Sequence, residues 1–365
     1  MNLSDNLKPI SIHISDVRSF RSCRRRWQWS SSLGRNLEPV VPYIPFFTGR
    51  AIHNALEDYY RSGTSFPESI TAFLKLEHET MEQNGTLWPE EEMSFADQEL
   101  LIRGLLWHYK LWVDQDKQKY SDANLEFIEM ETEFEVPMPT LTGRPAARMT
   151  FGGRFDGLVR HKETGALWIY EAKTTRSIEE LVRSLANDEQ CGAYLYAAKQ
   201  MYKEPIAGVL YNVMRKKLPT IPNRLQSGSL SKNSSIDTTW FAYRQSILDL
   251  YPDWSDETIE EMYGDMHETL APNARKFFMR YPVYKSDSEI KMLMQGVYNT
   301  GREMINSRTR IYPAPGWLSC NFCHFKSPCL AMNAGSDYEV LLREEYQPRI
   351  SFTSMRDKLD DQSTN

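Results

Sequence analysis

Apolar positions recur at helical spacing through the first third of the chain. In Gly49–Tyr60, Ile52, Ala55, Leu56 and Tyr59 share one face of a helix. Residues 66–84 and 90–118 continue as amphipathic helices, broken near Gly85 and Pro89. The period changes near residue 125. Residues 125–136 alternate Phe, Ile and Val with Glu, which predicts a strand. Residues 148–160 and 166–172 predict two more strands, joined by a turn at Lys162-Glu163-Thr164-Gly165. A long helix follows from Ile178 to Tyr202, and Pro205 precedes a strand at 206–214. The order strand, strand, strand, helix, strand predicts an α/β core with a central mixed sheet flanked by helices.

The flanks are less regular. In residues 14–33, Ser15 is placed to cap a short helix with Asp16 in its first turn. The stretch to Thr48, with Pro39, Pro42 and Pro45, reads as a loop. Residues 216–238, rich in Lys, Pro, Ser, Asn and Gly, predict an exposed, mobile loop. Helices are expected at 256–271 and 287–306, with a strand at 275–284 between them. The last ~10 residues are polar and expected to be disordered. We expect one domain over 1–335 and a C-terminal tail over 336–365. Within the domain, 51–120 is helical, 121–215 is the catalytic α/β core, and 216–306 is an extension of loop, helix and strand.

Composition narrows the class. The net charge of −6 argues against a protein coated in positive charge, but not against a local phosphate-binding groove. No apolar run approaches the roughly 20 residues a membrane helix needs, and the N-terminus has no secretory pattern. A cytoplasmic, reducing location is expected. There the five cysteines are not expected to form a disulfide framework.

The most informative segments are Gly152-Gly153-Arg154-Phe155-Asp156-Gly157-Leu158-Val159 and Leu167-Trp168-Ile169-Tyr170-Glu171-Ala172-Lys173-Thr174-Thr175. Side chains alternate along a strand, so Glu171 and Lys173 share a face. With Asp156 on the neighbouring strand facing the same way, two carboxylates and an ammonium converge. Hard oxygen ligands of this kind hold Mg²⁺ or Mn²⁺, and a lysine beside them can orient water and balance phosphate charge. A lone Glu-x-Lys would be an ordinary surface salt bridge. The glycine-flanked Asp, one intervening turn and the following helix set this one apart.

These residues resemble the RecB-like branch of the PD-(D/E)XK nuclease superfamily, whose fold is a restriction-endonuclease-like core. Asp156, Glu171 and Lys173 match its Gly-x-x-Asp and Glu-x-Lys strands. The resemblance implies that His53, in Gly49-Arg50-Ala51-Ile52-His53, is a further metal ligand beside Asp156, Glu171 and the Ala172 carbonyl. It also implies that Gln190 and Tyr194, one helical turn apart, line the cleft. On packing grounds alone Tyr194 would join Leu195 and Ala198 in the core.

Cys320-x2-Cys323-x5-Cys329 is a compact thiolate cluster, and Cys23 or Cys191 could supply a fourth ligand. Cys191 reads as a buried free thiol. Spacing leaves zinc and iron–sulfur open. The arrangement resembles an iron–sulfur subset of the branch, similar to CRISPR-associated adaptation exonucleases and AddB-type nucleases. That resemblance implies a [4Fe–4S] cluster on Cys23, Cys320, Cys323 and Cys329, in a subdomain of 10–50 and 307–335. The cluster would staple the two ends of the domain.

For DNA contact, the candidates are Arg24, Arg25 and Arg26 beside Cys23, with Arg18 and Arg21. Thr174, Thr175 and Arg176 follow the lysine strand, and Arg215, Lys216 and Lys217 follow the strand at 206–214. Trp27, Trp29 and Tyr43 could stack on exposed bases, against the alternative of core packing. The expected function is metal-dependent DNA exonuclease action on ends or single strands, in recombination, repair or DNA processing. The alternatives are an assembly subunit of a recombination or spacer-acquisition complex with little cleavage of its own, or an endonuclease. No Gly-x-x-x-x-Gly-Lys-[Ser/Thr] loop is present, so any helicase would be a partner.

Overall fold

The computed structural model describes residues 8–41, 44–83, 85 and 89–349. The chain runs β1 (Ile10–His13), α1 (Ile14–Ser22), α2 (Arg24–Ser30), β2 (Leu37–Pro39), α3 (Ile44–Ser62), α4 (Phe66–Gln83) and α5 (Pro89–Gln115). It continues through β3 (Leu125–Pro139), β4 (Pro145–His161), β5 (Leu167–Thr175), α6 (Ile178–Leu185), α7 (Glu189–Met201) and β6 (Ile206–Arg215). It closes with α8 (Trp240–Leu250), α9 (Asp256–Leu270), β7 (Phe278–Val283), α10 (Asp287–Met304), α11 (Trp317–Asn321), α12 (Lys326–Asn333), α13 (Tyr338–Glu344) and β8 (Tyr346–Pro348).

Six strands form a mixed central sheet in the order β1-β4-β5-β6-β7, with β3 paired to β4. The expected α/β architecture is therefore the one observed. Alternation along β5 sends Leu167 and Ile169 to one face and Trp168, Tyr170 and Ala172 to the other. The first face is covered by α1, α7 and α10, where Val17, Phe20, Leu195, Ala198, Met294 and Val297 bury their side chains. The second is covered by α3, α4 and α5, through Ile52, Leu56, Phe73, Leu105, Tyr109 and Trp112. Burying apolar area on both faces is the main force holding the layers together. At Gly208 on β6 an added Cβ would lie 2.4 Å from the Val283 carbonyl oxygen. Only glycine lets β7 approach that closely.

Several elements differ from expectation. α3 begins at Ile44, so the proline-rich loop ends earlier. Pro45 falls in the helix's first turn, where a missing N–H breaks no bond. Ser15 does not cap α1. The helix starts at Ile14 with His13 as its N-cap and no side-chain cap hydrogen bond. The helix expected over 178–202 is two helices, because the Asp188 carboxylate accepts from the Gln190 N–H (2.9 Å) and starts α7 afresh. β1 and α8 were not anticipated. β1 has only four residues and is held by parallel pairing to β4. α8 and α9 bury Trp240, Tyr243, Ile259 and Tyr263 against one another in a small core of their own.

Trp27 and Trp29 are 3% and 4% exposed, so neither is available to stack on a base. Trp27 meets Phe20 edge-on, and Trp29 packs on Phe325 and Tyr338. Tyr43 lies outside the described residues, as does the polar end from 350 to 365. Beyond residue 335 the chain forms α13 and then β8, which pairs antiparallel with β2. Leu342 and Tyr346 pack there on Trp29 and Phe325. Among the described residues, no helix is long and apolar enough to cross a membrane.

Candidate active site

The sheet opens where the reactive residues gather. β4 and β5 are paired only from Gly157↔Tyr170 to Arg160↔Leu167. One step further on, Asp156 stands at the level of Glu171. There the Ala172 N–H donates to the Asp156 carboxylate (2.8 Å) rather than to a β4 carbonyl. On the other edge of β4, the β3 register sets Glu131 at the level of Asp156, between the pairs Met130↔Gly157 and Thr132↔Phe155. Three acids thus line up across β3, β4 and β5.

His53 enters from α3. Gly49, His53 and Glu57 are four residues apart and form one stripe along that helix. Gly49 faces the Thr174 hydroxyl on β5, and His53 Nδ1 lies 3.4 Å from the Asp156 carboxylate. Glu57 is buried and ion-paired to Arg61 (2.6 Å). Arg61 in turn donates to the Met130 carbonyl (2.6 Å), one residue before Glu131. One atom each from His53, Glu131 and Asp156 lies within 4.8 Å of the other two, the spacing of ligands around a single ion.

Glu131 is the member of this set that sequence reasoning missed. It sits in the left-handed region at φ 52°, which costs a residue with a Cβ. In the sequence it is one of five glutamates in a strand that reads as simple alternation. The one available signal is the adjacent apolar pair Phe127-Ile128, which breaks the period of two. The structure has a register shift there, and Ile128 faces outward at 40% exposure. The parity flip carries Glu131 to the level of the site.

Glu171 and Lys173 share a face, as alternation requires. Lys173 Nζ donates to Glu171 Oε1 (2.5 Å) and to Gln190 Oε1 (3.0 Å). Gln190 Nε2 donates to the same Glu171 oxygen (2.8 Å). Glu171 Oε2 is buried and has no hydrogen-bond partner among the described residues. A buried, unpartnered carboxylate oxygen suits a cation. Tyr194, a turn beyond Gln190, is buried with its ring against Phe155 and Phe134.

Crowded negative charge shapes the titration. Burial and then the Asp156 charge push Glu171 up to about 7 and Glu131 up to about 8. Burial opposes the charged form of His53, but Asp156, with Glu131 and Glu171, outweighs it and lifts the imidazole to about 9. Burial also acts against ionised Asp156. His53, Lys173 and the Ala172 N–H prevail there and hold its pKa below the usual carboxylate range. Lys173 is raised because Glu171 and Asp156 outweigh its burial. The site therefore favours cations while lacking the charge to neutralise all its acids.

The other expected contacts are distributed unevenly. Thr175 accepts from the Ser177 N–H (3.2 Å) and donates to the Ser177 carbonyl (3.0 Å), serving the turn into α6. Arg176 is exposed, and Lys216, whose ammonium is lowered by burial and then by the Arg176 charge, lies near it. Arg215 is paired with Asp237 (2.9 Å) and covers Phe277, and Lys217 shares Asp237. Among the arginines near Cys23, Arg18 pairs with Asp188, Arg21 with Glu189, and Arg24 with Glu303 (2.5 Å). Arg25 donates to Asn333 (2.6 Å).

Cys23, Cys320, Cys323 and Cys329 line one cavity of about 150 Å³, together with Arg25 and Arg26. None of the four is in a disulfide. The Cys329 sulfur accepts from Arg25 (3.3 Å), and those of Cys320 and Cys23 accept from the Gly316 and Ala314 N–H groups (3.4 and 3.5 Å). They face the cavity from its walls and are not within the 4.8 Å mutual reach of a single-ion set. Cys191 is apart from them, buried on α7, its thiol pushed up to about 12 by burial and then by Asp188.

Residues 11–330 match the sequence family described as the PD-(D/E)XK nuclease superfamily. The match spans the sheet, the acidic cluster and all four cavity cysteines, and the chain belongs to that superfamily. Its members hydrolyse phosphodiester bonds with divalent metal ions. No curated protein matches the chain significantly.

Proposed function

We propose that this protein is a Mg²⁺- or Mn²⁺-dependent deoxyribonuclease of the RecB-like branch, acting as an exonuclease on DNA ends or single strands. The observation that carries the reading is the meeting of Glu131, Asp156, Glu171, Lys173 and His53 where β3, β4 and β5 run side by side. One buried and two partly buried acids set around a single lysine leave negative charge that a bound cation would neutralise. Asp156, Glu171 and His53 would hold the ion, with the Ala172 carbonyl and, added to that set, Glu131. The bound ion would polarise a phosphoryl oxygen and acidify water.

The chain's own groups supply the rest. Lys173, raised by its acidic neighbours, remains an ammonium at neutral pH and can donate to the attacking water or to a phosphate oxygen. Gln190 bridges Lys173 and Glu171 and fixes both side chains. Tyr194 supports that arrangement from the core. Arg176 and Lys216, just past β5 and β6, are placed to meet a backbone phosphate.

We assign the cysteine cavity to a [4Fe–4S] cluster. Its roughly 150 Å³ and wall-mounted thiols suit a polynuclear centre better than one zinc ion, whose four sulfurs crowd a single point. The cluster would tie the segment after Cys23 to the segment around Cys320–Cys329. A reducing, cytoplasmic setting and a role in recombination, repair or DNA processing fit both centres. Unwinding would come from a separate helicase.

The test is cleavage of end-labelled linear and circular single-stranded DNA in Mn²⁺ or Mg²⁺. We expect digestion of the linear form only, abolished by Asp156→Asn or Lys173→Ala in protein whose circular dichroism is unchanged. Cutting of circles would favour an endonuclease. Binding without cleavage in either metal would favour an assembly subunit. Anaerobic purification should give a brown protein with about four iron per chain, whereas stoichiometric zinc would overturn the cluster assignment.

A further inference from the structure

With Trp27 and Trp29 buried, the aromatic groups free to meet a ligand lie elsewhere. α11 is a short helix whose two sides differ in chemistry. Cys320 and Cys323 face the cavity. On the other side Trp317 is 80% exposed, Leu318 63%, and Phe322, at the helix C-cap, 63%. Tyr312, half exposed, precedes them and lies under the Arg24 guanidinium (5.0 Å). A tryptophan so exposed carries a large hydration cost, and a cluster of such residues marks a contact surface.

The surrounding charge identifies the occupant. From Met304 to Ser336 the chain has no Asp or Glu, although it holds 49 acids and a net charge of −6 overall. The same stretch carries Arg308, Arg310 and Lys326, all exposed and without a carboxylate partner among the described residues. Exposed aromatic rings and unneutralised cations that share one acid-free stretch, in an otherwise acidic protein, complement a polyanion whose bases are unstacked. A hydrophobic protein partner would not require the local absence of acids.

We propose that Trp317 and Phe322, with Arg308, Arg310 and Lys326, form a binding platform for single-stranded DNA on the outer side of the cysteine cavity. The bases stack on the two rings and the cations hold the backbone. The platform rests on the nuclease reading for its substrate and adds a site outside the catalytic cleft. Cys320 on α11 and Cys323 just beyond it line the cavity, so a centre held there would fix α11 in place.

The experiment is fluorescence anisotropy of labelled oligo(dT) with the full chain in EDTA, where no cleavage occurs. Trp317→Ala with Phe322→Ala is expected to weaken binding by between about fivefold and 150-fold per stacked base, and Trp317→Phe to stay near wild type. Arg308→Ala with Arg310→Ala should flatten the dependence of log affinity on log salt by about 1.4, two single-strand phosphate contacts. In parallel, ultraviolet crosslinking of bromodeoxyuridine oligonucleotides to wild-type protein should modify the peptide containing Trp317 and Phe322, a readout independent of variant folding. Unchanged affinity in the double-alanine protein, or crosslinks confined to other peptides, overturns the platform. So does loss of self-association, rather than of DNA binding, in Trp317→Ala, since the face would then join protein copies. Cleavage is scored separately: intact cleavage with unchanged affinity removes the platform alone. Weakened binding in a protein that never cleaves removes the nuclease reading alone.

Discussion

Replacing Glu131 with Gln separates stability from metal binding at this site. Glu131 is raised from 4.5 to about 8 by burial and by Asp156. Its contribution opposes folding. The cost is absent below the unfolded pKa, grows as pH rises through about 4.5, and levels off above about 8. At pH 7 the unfolded chain has released this proton and the folded one has not, a penalty on the order of 3 kcal/mol. Gln keeps the shape and removes the penalty. Arg154, 2.5 Å from Glu131, already lowers that pKa, so its effect is contained in the figure, and the expected gain is up to about 3 kcal/mol. Metal-free Glu131→Gln should therefore melt higher than wild type at pH 7 and 8, and by less at pH 5. The same change removes a ligand from the His53–Glu131–Asp156 set, so Mn²⁺ should bind roughly 10–100-fold more weakly, by analogy with loss of other metal-orienting groups. Calorimetric melts with and without Mn²⁺, together with titration calorimetry, measure both effects. A variant that melts lower without metal at pH 8, yet keeps the full Mn²⁺-induced rise in Tm, would refute the reasoning.

Three further outcomes are expected. Mn²⁺ affinity should rise from pH 6 to pH 9, because Glu171 at about 7, Glu131 at about 8 and His53 at about 9 must each release a proton to serve as ligands; buffers of differing ionisation enthalpy should reveal proton release, and a pH-independent affinity would exclude these ligands. Gly208→Ala should cost about 2 kcal/mol or more, read as a lower denaturation midpoint, since its Cβ would meet the Val283 carbonyl at 2.4 Å and Trp168 at 2.8 Å. Cys323→Ser should lose most of the iron and visible absorption and lower Tm while leaving the far-ultraviolet spectrum of the sheet in place; wild-type iron content in that variant would disconnect Cys323 from the cavity centre.

The long periodic stretches were legible because they are governed by local rules. The strands around Asp156 and Glu171, the helices over α4 and α5, and β6 all declare themselves through period and turn chemistry. So does the pairing of Glu171 with Lys173, since two residues on one strand must share a face. Short elements escaped. β1 has too few residues to show a pattern, and the break between α6 and α7 leaves the apolar spacing of the helix nearly undisturbed. That break matters, because the Asp188 cap fixes where Gln190 stands against Glu171 and Lys173.

Within the site, residue types and intervals determined that two acids and a lysine would occupy adjacent strands, and that thiols would gather near one end of the chain. Which other groups join them depends on contacts between residues far apart in sequence. Only the bulge at Phe127–Glu129, read against β4, sets Glu131 beside Asp156, and only packing of α3 on the sheet brings His53 to the same place. Burial likewise sorted the tryptophans, taking Trp27 and Trp29 inward and leaving Trp317 outside. Local patterns follow from covalent geometry and side-chain alternation. Register, burial and charge crowding depend on the assembled layers, where each side chain's energy is set by neighbours that the linear order does not reveal.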